Sequence, residues 1–147
     1  MTTNGNAEHH QVAITALSRE ECLEALRTAS IGRVATTVGQ EHRPLLRPVT
    51  YQYDEPTGSV VFHSLPGTKL HALLDRRDAS FEIDGESDGW LWSVILRGRV
   101  ETETRRREIT RLERGPRTPI PIAADGQWLR IRGEVITGVR FPIRAAG

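Results

Sequence analysis

The segment Val61–Leu70, V-F-H-S-L-P-G-T-K-L, combines the end of a β-strand with the start of a helix. A strand ends near Ser64, a turn containing Gly67 follows, and a helix opens at Thr68-Lys69. Backbone N–H groups at a helix start, two hydroxyl groups and the Lys69 ammonium together favour a phosphate monoester. The same pattern also suits an ordinary strand–turn–helix unit in which Thr68 caps the helix and Lys69 faces solvent. Spacing alone leaves both interpretations open.

Better-known phosphate-binding and catalytic motifs do not fit this segment. The order Gly-Thr-Lys differs from the GxxxxGK[ST] pattern of the Walker A loop, and the sequence contains no GxGxxG. Adjacent His63 and Ser64 cannot form a catalytic dyad, because neighbouring side chains in a strand point to opposite faces. The sequence therefore supports neither a P-loop enzyme, nor a Rossmann dinucleotide site, nor hydrolase chemistry.

On both sides of this segment, apolar residues alternate with a period of two, which predicts short β-strands. The six predicted strands are Ile31–Val38, Pro44–Tyr53, Ser59–His63, Ala79–Asp84, Trp90–Thr102 and Trp128–Val139. Gly98 interrupts the fifth of them and predicts a bulge or a barrel corner. Short turns join most of the strands, so the predicted fold class is mainly β, a small antiparallel barrel with a few short helices.

Three helices are predicted beside the strands. Ser18 is a good N-cap and Glu21 completes a capping box, which places the start of the first helix. Its apolar stripe includes Cys22, which is therefore expected in the core rather than as a nucleophile. The other two helices are predicted over Thr68–Asp75 and Arg105–Arg114. Glutamates alternate with arginines in the last helix, which favours a solvated helix held by local ion pairs.

Composition limits the class of protein. The chain has 147 residues, 37% hydrophobic and 27% charged, which suits one folded domain over residues 17–147 after a disordered polar tail over residues 1–16. The formal net charge of +1 argues against a nucleic-acid partner. No apolar run reaches the length of about 20 residues that crosses a membrane, and the N-terminus lacks signal-peptide features. A single cysteine supplies neither a disulfide nor a cysteine-rich metal site, so we expect a cytoplasmic protein without a metal.

Four segments stand out in sequence order: Ile31–Ala35, Arg47–Tyr51, Phe62–Leu70 and Trp92–Glu101. Together they resemble the flavin-binding split-barrel family of pyridoxamine 5′-phosphate oxidase and its relatives, over most of residues 17–139. The resemblance implies a six-stranded antiparallel split β-barrel that binds FMN at the interface of a homodimer. The C-terminus lacks the histidine with which the true oxidase holds its phosphorylated substrate. The Phe-His-Ser-x-x-Gly-x-Lys pattern over residues 62–69 is more similar to the small reductase-like branch, which includes nitroimidazole-resistance proteins.

The resemblance also implies roles for individual residues. Lys69 and Thr68 would hold the cofactor phosphate, with Arg47 near the phosphate or the ribityl chain. Val49 and Thr50 would run along the edge of the flavin ring. The other cofactor-binding candidates are Pro48, His63, Ser64 and Leu70 from one chain, with Trp92 and Ser93 from its partner. His63 is also the candidate proton donor in catalysis, and Trp128 and Arg130 are weaker cofactor-binding candidates.

Alternatives stay open at this point. Arg47 could be a surface residue, Trp92 barrel core, and His63 a structural histidine. The resemblance implies an FMN-dependent oxidoreductase that moves a hydride through flavin N5 to or from a small molecule. The alternatives are a deazaflavin-dependent reductase, a non-catalytic flavin- or haem-binding protein with His42, His63 or His71 as haem ligand, and an interaction protein that has lost its cofactor.

Overall fold

A computed structural model describes residues 13–64, 69–115, 120 and 125–144. The strands and helices of this part of the chain, in order, are β1 (Thr15–Ala16), α1 (Arg19–Thr28), β2 (Ile31–Val38), β3 (Arg43–Thr50), β4 (Gln52–Asp54), β5 (Ser59–His63), α2 (Leu70–Leu74), β6 (Asp78–Ser87), β7 (Trp90–Thr102), α3 (Arg106–Arg114), β8 (Trp128–Arg132) and β9 (Val135–Pro142). A short 3₁₀ turn, Glu55–Thr57, separates β4 from β5.

The strands form one antiparallel sheet in the order β3-β2-β6-β7-β8-β5-β4. Only Tyr51 separates β3 from β4 in the chain, so the two ends of this order adjoin and the sheet curls back on itself. Strand β9 pairs with β7 on one side and with β1 on the other. The predicted mainly-β, split-barrel fold class is confirmed.

The predicted count of six strands is wrong, because the described residues contain nine. The predicted second strand breaks at Tyr51, whose side chain is buried and whose hydroxyl donates to the Leu26 carbonyl at 2.7 Å. The predicted last strand breaks at the Gly133-Glu134 turn, and β1 is additional. Six strands remain if each broken strand is counted once and β1 is left out.

Gly98 lies where β7 changes its pairing partner. Residues Trp90–Arg97 pair with β9, whereas Val100–Thr102 pair with β8. A Cβ atom on Gly98 would lie 1.8 Å from the backbone carbonyl oxygen of Arg132. The predicted barrel corner is therefore a close backbone crossing that only glycine permits.

The capping box at the start of α1 is present as predicted. Glu21 N donates to Ser18 Oγ at 3.1 Å, and Ser18 N donates to the Glu21 carboxylate at 3.0 Å. The helix buries Cys22 and Leu26 against the barrel interior. Burial raises the pKa of the Cys22 thiol, which suits a packing role rather than a nucleophilic one.

The N-terminal boundary differs from the expected tail. Thr15 and Ala16, assigned to the tail in the sequence analysis, pair with Arg140 and Val139 of β9. Residues 1–12 lie outside the described residues. No helix in the described part of the chain has the length and apolar character needed to cross a bilayer.

Candidate functional site

The end of β5 places His63 and Ser64 at one end of the barrel. His63 pairs with Trp128 of β8, and the two rings meet nearly perpendicular to each other with 5.3 Å between centroids. Ser64 N donates to the Gln127 carbonyl, and Gln127 N donates to Ser64 Oγ, both at 2.8 Å. These reciprocal hydrogen bonds fix the backbone where the chain leaves the sheet at the end of β5.

Two buried polar atoms at this end lack a hydrogen-bond partner among the described residues. They are His63 Nδ1 and Trp128 Nε1, on side chains that are 9% and 2% exposed. Burial lowers the pKa of His63, so its imidazole is neutral at neutral pH. An unpaired buried polar group costs about 1–3 kcal/mol, and a polar ligand or water that pairs with it recovers that cost. The pair therefore marks a place where a polar ligand would be stabilised.

Gly126 closes over His63 and Ser64 at this end of the barrel. A Cβ atom there would lie 2.1 Å from the Ser64 carbonyl oxygen and 2.4 Å from Cε1 of His63. Sequence reasoning missed both Gly126 and Gln127. The only signal in the sequence is the glycine just before the predicted strand that starts at Trp128.

The strand that carries Arg47, Pro48, Val49 and Thr50 lies beside this site. In the β4–β5 ladder Gln52 faces Val61, and β3 joins β4 through Tyr51. Val49 and Thr50 are half-buried, whereas Pro48 and Arg47 are exposed. Strand β3 contacts β5, so the structure brings the end of β3 near the β5 candidates.

The turn after β5 is described only in part. Thr68 lies outside the described residues. Lys69 is exposed, has a left-handed backbone at φ 45°, and accepts hydrogen bonds from the N–H groups of Ala72 and Leu73. Leu70 is buried in the core, so it is a packing residue of α2. Because α2 has only five residues, positive charge at this turn comes from Lys69 rather than from a helix dipole.

Trp92 and Ser93 lie at the other end of β7. Trp92 faces Gly85 of β6 and Arg140 of β9, whereas Thr102 at the opposite end of β7 faces Leu129, next to Trp128. Ten residues of strand span about 33 Å. One chain therefore does not bring Trp92 and Ser93 together with His63, and their expected contribution from a partner chain stays a prediction. The other haem candidates, His42 in the exposed β2–β3 turn and His71 in α2, lie in elements separate from β5.

Arg130, one of the weaker candidates, belongs to a buried ion network instead. Its guanidinium is 1% exposed and donates to Asp54 at 2.8 Å and to Glu103 at 3.2 Å. Arg111 of α3 donates to both oxygens of Asp54, at 2.7 and 2.9 Å. Burial opposes the ionisation of Asp54 and Glu103, but the hydrogen bonds from these arginines and from Arg105 outweigh it. The pKa of Asp54 lies far below its usual value, and that of Glu103 falls to about 2.

The family model described as pyridoxamine 5′-phosphate oxidase matches residues 18–140. The chain belongs to this family. Among proteins with curated descriptions, none matches the chain.

Solved structures agree with this pyridoxamine 5′-phosphate oxidase family assignment. The FAD-binding protein from Mycobacterium smegmatis is 29% identical, with a TM-score of 0.74 over 89% of this chain and 100% of that chain. A candidate pyridoxamine 5′-phosphate oxidase from Corynebacterium glutamicum is also 29% identical, with a TM-score of 0.76 and the same coverage. A candidate 5-nitroimidazole resistance protein from Bacteroides thetaiotaomicron has 15% identity and a TM-score of 0.68, over 95% of this chain and 97% of that chain. At that identity the likeness shows the fold alone.

In this member of the pyridoxamine 5′-phosphate oxidase family, the residues at the end of β5 fit a flavin. Two buried polar atoms need a polar partner, and the exposed ends of Arg47 and Lys69 offer charge to a phosphate. Val49 and Thr50 supply the end of β3, a strand that contacts β5.

Proposed function

We propose that this protein is an FMN-dependent oxidoreductase that acts on a small molecule as a homodimer. The observation that carries the proposal is the pair of unpartnered buried atoms, His63 Nδ1 and Trp128 Nε1, on the paired strands β5 and β8. The family and the FAD-binding relative from Mycobacterium smegmatis support a flavin as the ligand.

Each residue has a distinct task in this proposal. Arg47 and Lys69, with Thr68, bind the phosphate, for which a guanidinium and an ammonium are suited donors. Val49 and Thr50 offer backbone groups to the ring, while Pro48 between Arg47 and Val49 has no N–H to donate. A bound flavin supplies hydride transfer through N5.

His63 is the proposed proton donor and acceptor for the substrate. Its neutral imidazole can hold a proton on one ring nitrogen and accept at the other, so it can move a proton at Nδ1. Gly126 and Trp128 hold the ring in place, which limits its access to water.

The homodimer is proposed from the outer face of the sheet. Strands β2, β3, β6, β7 and β9 present a groove of about 510 Å³ that includes the exposed side chains Leu46 and Ile95. A second copy that covers this face would remove apolar surface from water. The partner's Trp92 and Ser93 would then be available to a cofactor that this chain's own Trp92 cannot reach.

A haem-binding protein without turnover is the second candidate. It is favoured by the same neutral, buried imidazole of His63, since unprotonated imidazole nitrogen is a common haem ligand. A deazaflavin in place of FMN would use the same phosphate-binding residues.

The absorbance spectrum of the purified protein, before and after addition of FMN and passage through a sizing column, tests the proposal. A co-eluting flavin band is expected, with reduction of an acceptor that depends on the flavin. A deazaflavin or Soret-type band would select one of the alternatives, and uptake of none of the three cofactors would contradict flavin function.

Comparing FMN with riboflavin, which lacks the phosphate, tests the residue roles. We expect Arg47→Ala and Lys69→Ala each to weaken FMN binding by about tenfold or more and to leave riboflavin binding unchanged, as fits loss of a charged hydrogen bond. Arg43→Ala is the matched control, since Arg43 is exposed on the same strand and pairs with Glu41. Equal losses for FMN and riboflavin, or an effect of Arg43→Ala as large, would disprove the phosphate assignment.

A further inference from the structure

Ser64 directly follows His63 at the end of β5, and its side chain is engaged with the protein itself. Its Oγ accepts a hydrogen bond from the N–H of Gln127 at 2.8 Å, and its own N–H donates to the Gln127 carbonyl at 2.8 Å. The residue is 1% exposed. By contrast, the buried Nδ1 of His63 has no hydrogen-bond partner among the described residues. The Ser64 hydroxyl therefore differs from the neighbouring atoms that a ligand would satisfy.

The two hydrogen bonds also fix Gly126, the residue before Gln127. A Cβ atom on Gly126 would lie 2.1 Å from the Ser64 carbonyl oxygen, 2.4 Å from Cε1 of His63 and 2.8 Å from its Nδ1. Only a residue without a side chain lets the backbone approach the imidazole so closely. Movement of Gln127 away from Ser64 would carry Gly126 away from the ring. We call this arrangement of Ser64, Gln127 and Gly126 the Ser64 clamp.

The Ser64 clamp and Trp128 together shield the imidazole of His63 from water. Gly126 lies against Cε1 and Nδ1, and the indole meets the ring nearly perpendicular to it. Burial lowers the pKa of His63, while the Ser64 backbone and the negative charge of Glu113 in α3 act in the opposite direction. The net shift is downward, so the exclusion of water keeps the ring neutral and able to accept a proton.

We propose that Ser64 is a positioning residue for His63, because its hydrogen bonds hold the Gly126 backbone against the imidazole, fixing the ring and excluding water from it. The resemblance to the flavin-binding family implies a cofactor contact for Ser64, but its oxygen already has a partner in the chain. The role of the clamp in proton transfer rests on the proposed function. The clamp itself does not depend on a bound flavin.

NMR titration of the full chain, without added cofactor, tests the Ser64 clamp directly. The chain has five histidines, and the spectrum of His63→Gln assigns the Cε1–H signal of His63. Ser64→Ala takes the acceptor from the Gln127 N–H, so Gly126 is released and water reaches the ring. We expect the pKa of His63 to rise towards its usual 6.5 in this variant. The Gln127 amide should also exchange with solvent about tenfold faster.

Two further variants separate the clamp from a general loss of stability. Gly126→Ala places a methyl group 2.1 Å from the Ser64 carbonyl oxygen, so the backbone must move off the ring although Ser64 is intact. It should raise the pKa of His63 in the same direction. Ser59→Ala is the matched control, because Ser59 is a fully buried serine at the start of β5 whose Oγ donates to the Thr57 carbonyl at 3.3 Å. That variant should leave the His63 titration unchanged.

Titration with FMN and with riboflavin distinguishes positioning from direct phosphate binding. Ser64→Ala should leave the ratio of the two affinities unchanged, since the clamp acts on His63 and not on the phosphate. A loss confined to FMN, an unchanged pKa of His63 in both clamp variants, or an equal rise in Ser59→Ala would overturn the proposal. Failure of both flavins to bind would contradict the proposed function, whereas the histidine titration needs no cofactor and decides the clamp on its own.

Discussion

At the scale of single residues, Arg130 shows how burial changes the contribution of an ion pair to the free energy of unfolding. Its guanidinium is 1% exposed, between Asp54 and Glu103. Arg130→Met removes the buried cation that both carboxylates share, and we expect a loss of about 3 kcal/mol in the free energy of unfolding. The more exposed Arg111 and Arg105 still pair with Asp54 and Glu103. Arg132→Met is the control, because Arg132 is 46% exposed and contacts Glu101 at 3.6 Å. That exposed pair should cost no more than about 1 kcal/mol. Urea unfolding at pH 7 compares the two variants, and equal costs would contradict the network.

The same network fixes a pH dependence. The pKa of Glu103 falls from its usual 4.5 to about 2 in the fold, and that of Asp54 is lowered as well. A carboxyl whose pKa is lowered by folding stabilises the fold above its usual pKa and loses that contribution as pH falls through the lowered value. The difference between the unmodified chain and Arg130→Met should therefore shrink as the pH falls from 4.5 towards 2. A difference that stays constant over this range would show that Arg130 acts through packing alone.

Some site residues can be predicted from the sequence and others cannot, for a physical reason. His63, Ser64 and Lys69 can be predicted as site residues because one short segment contains both the end of a strand and a basic residue. Gly126 lies against His63 and Ser64 from a distant part of the chain. Arg130 pairs with Asp54 and Glu103, which lie 76 and 27 positions away. A local pattern carries no information about such pairs.

At the scale of secondary-structure elements, the close crossing of β7 and β8 at Gly98 leads to a prediction about stability. Gly98→Ala would place a methyl group 1.8 Å from the Arg132 carbonyl oxygen, so β7 or β8 must move. We expect a loss of more than about 2 kcal/mol in the free energy of unfolding. Gly39→Ala is the control, because Gly39 has a φ of 75° and no atom within 4 Å of the added carbon. Its cost should be the backbone strain alone, about 1 kcal/mol. If chemical denaturation gives similar losses for both, the crossing is not tight.

The boundaries of the strands are likewise predictable only where the sequence signals are local. The ranges of β2, β5 and β7 agree with the prediction, because alternation and flanking turns are local signals. The breaks at Tyr51 and at Gly133-Glu134 are not predictable in this way, since an apolar pattern continues through both. Tyr51 ends β3 because its hydroxyl reaches Leu26 of α1, a contact between distant segments.

At the scale of the whole molecule, the outer sheet face carries the prediction of a homodimer. Leu46 is 61% exposed and Ile95 39% exposed in one groove, and the nearby charges of Arg33 and Glu82 pair with each other at 3.3 Å. Paired charges and exposed apolar side chains are suited to cover by a second copy. We therefore expect the unmodified chain to sediment as a dimer.

Ile95→Arg would place an unpaired charge in that face, so the variant should sediment as a monomer while its circular dichroism spectrum stays unchanged. Because the proposed flavin site takes Trp92 and Ser93 from the partner, the monomer should also lose FMN affinity. Ile14→Arg is the matched control: Ile14 is 68% exposed but does not line the groove, so that variant should stay dimeric. A dimeric Ile95→Arg protein would assign the interface to another surface. A monomer that retains full FMN affinity would mean that the cofactor site is complete within one chain.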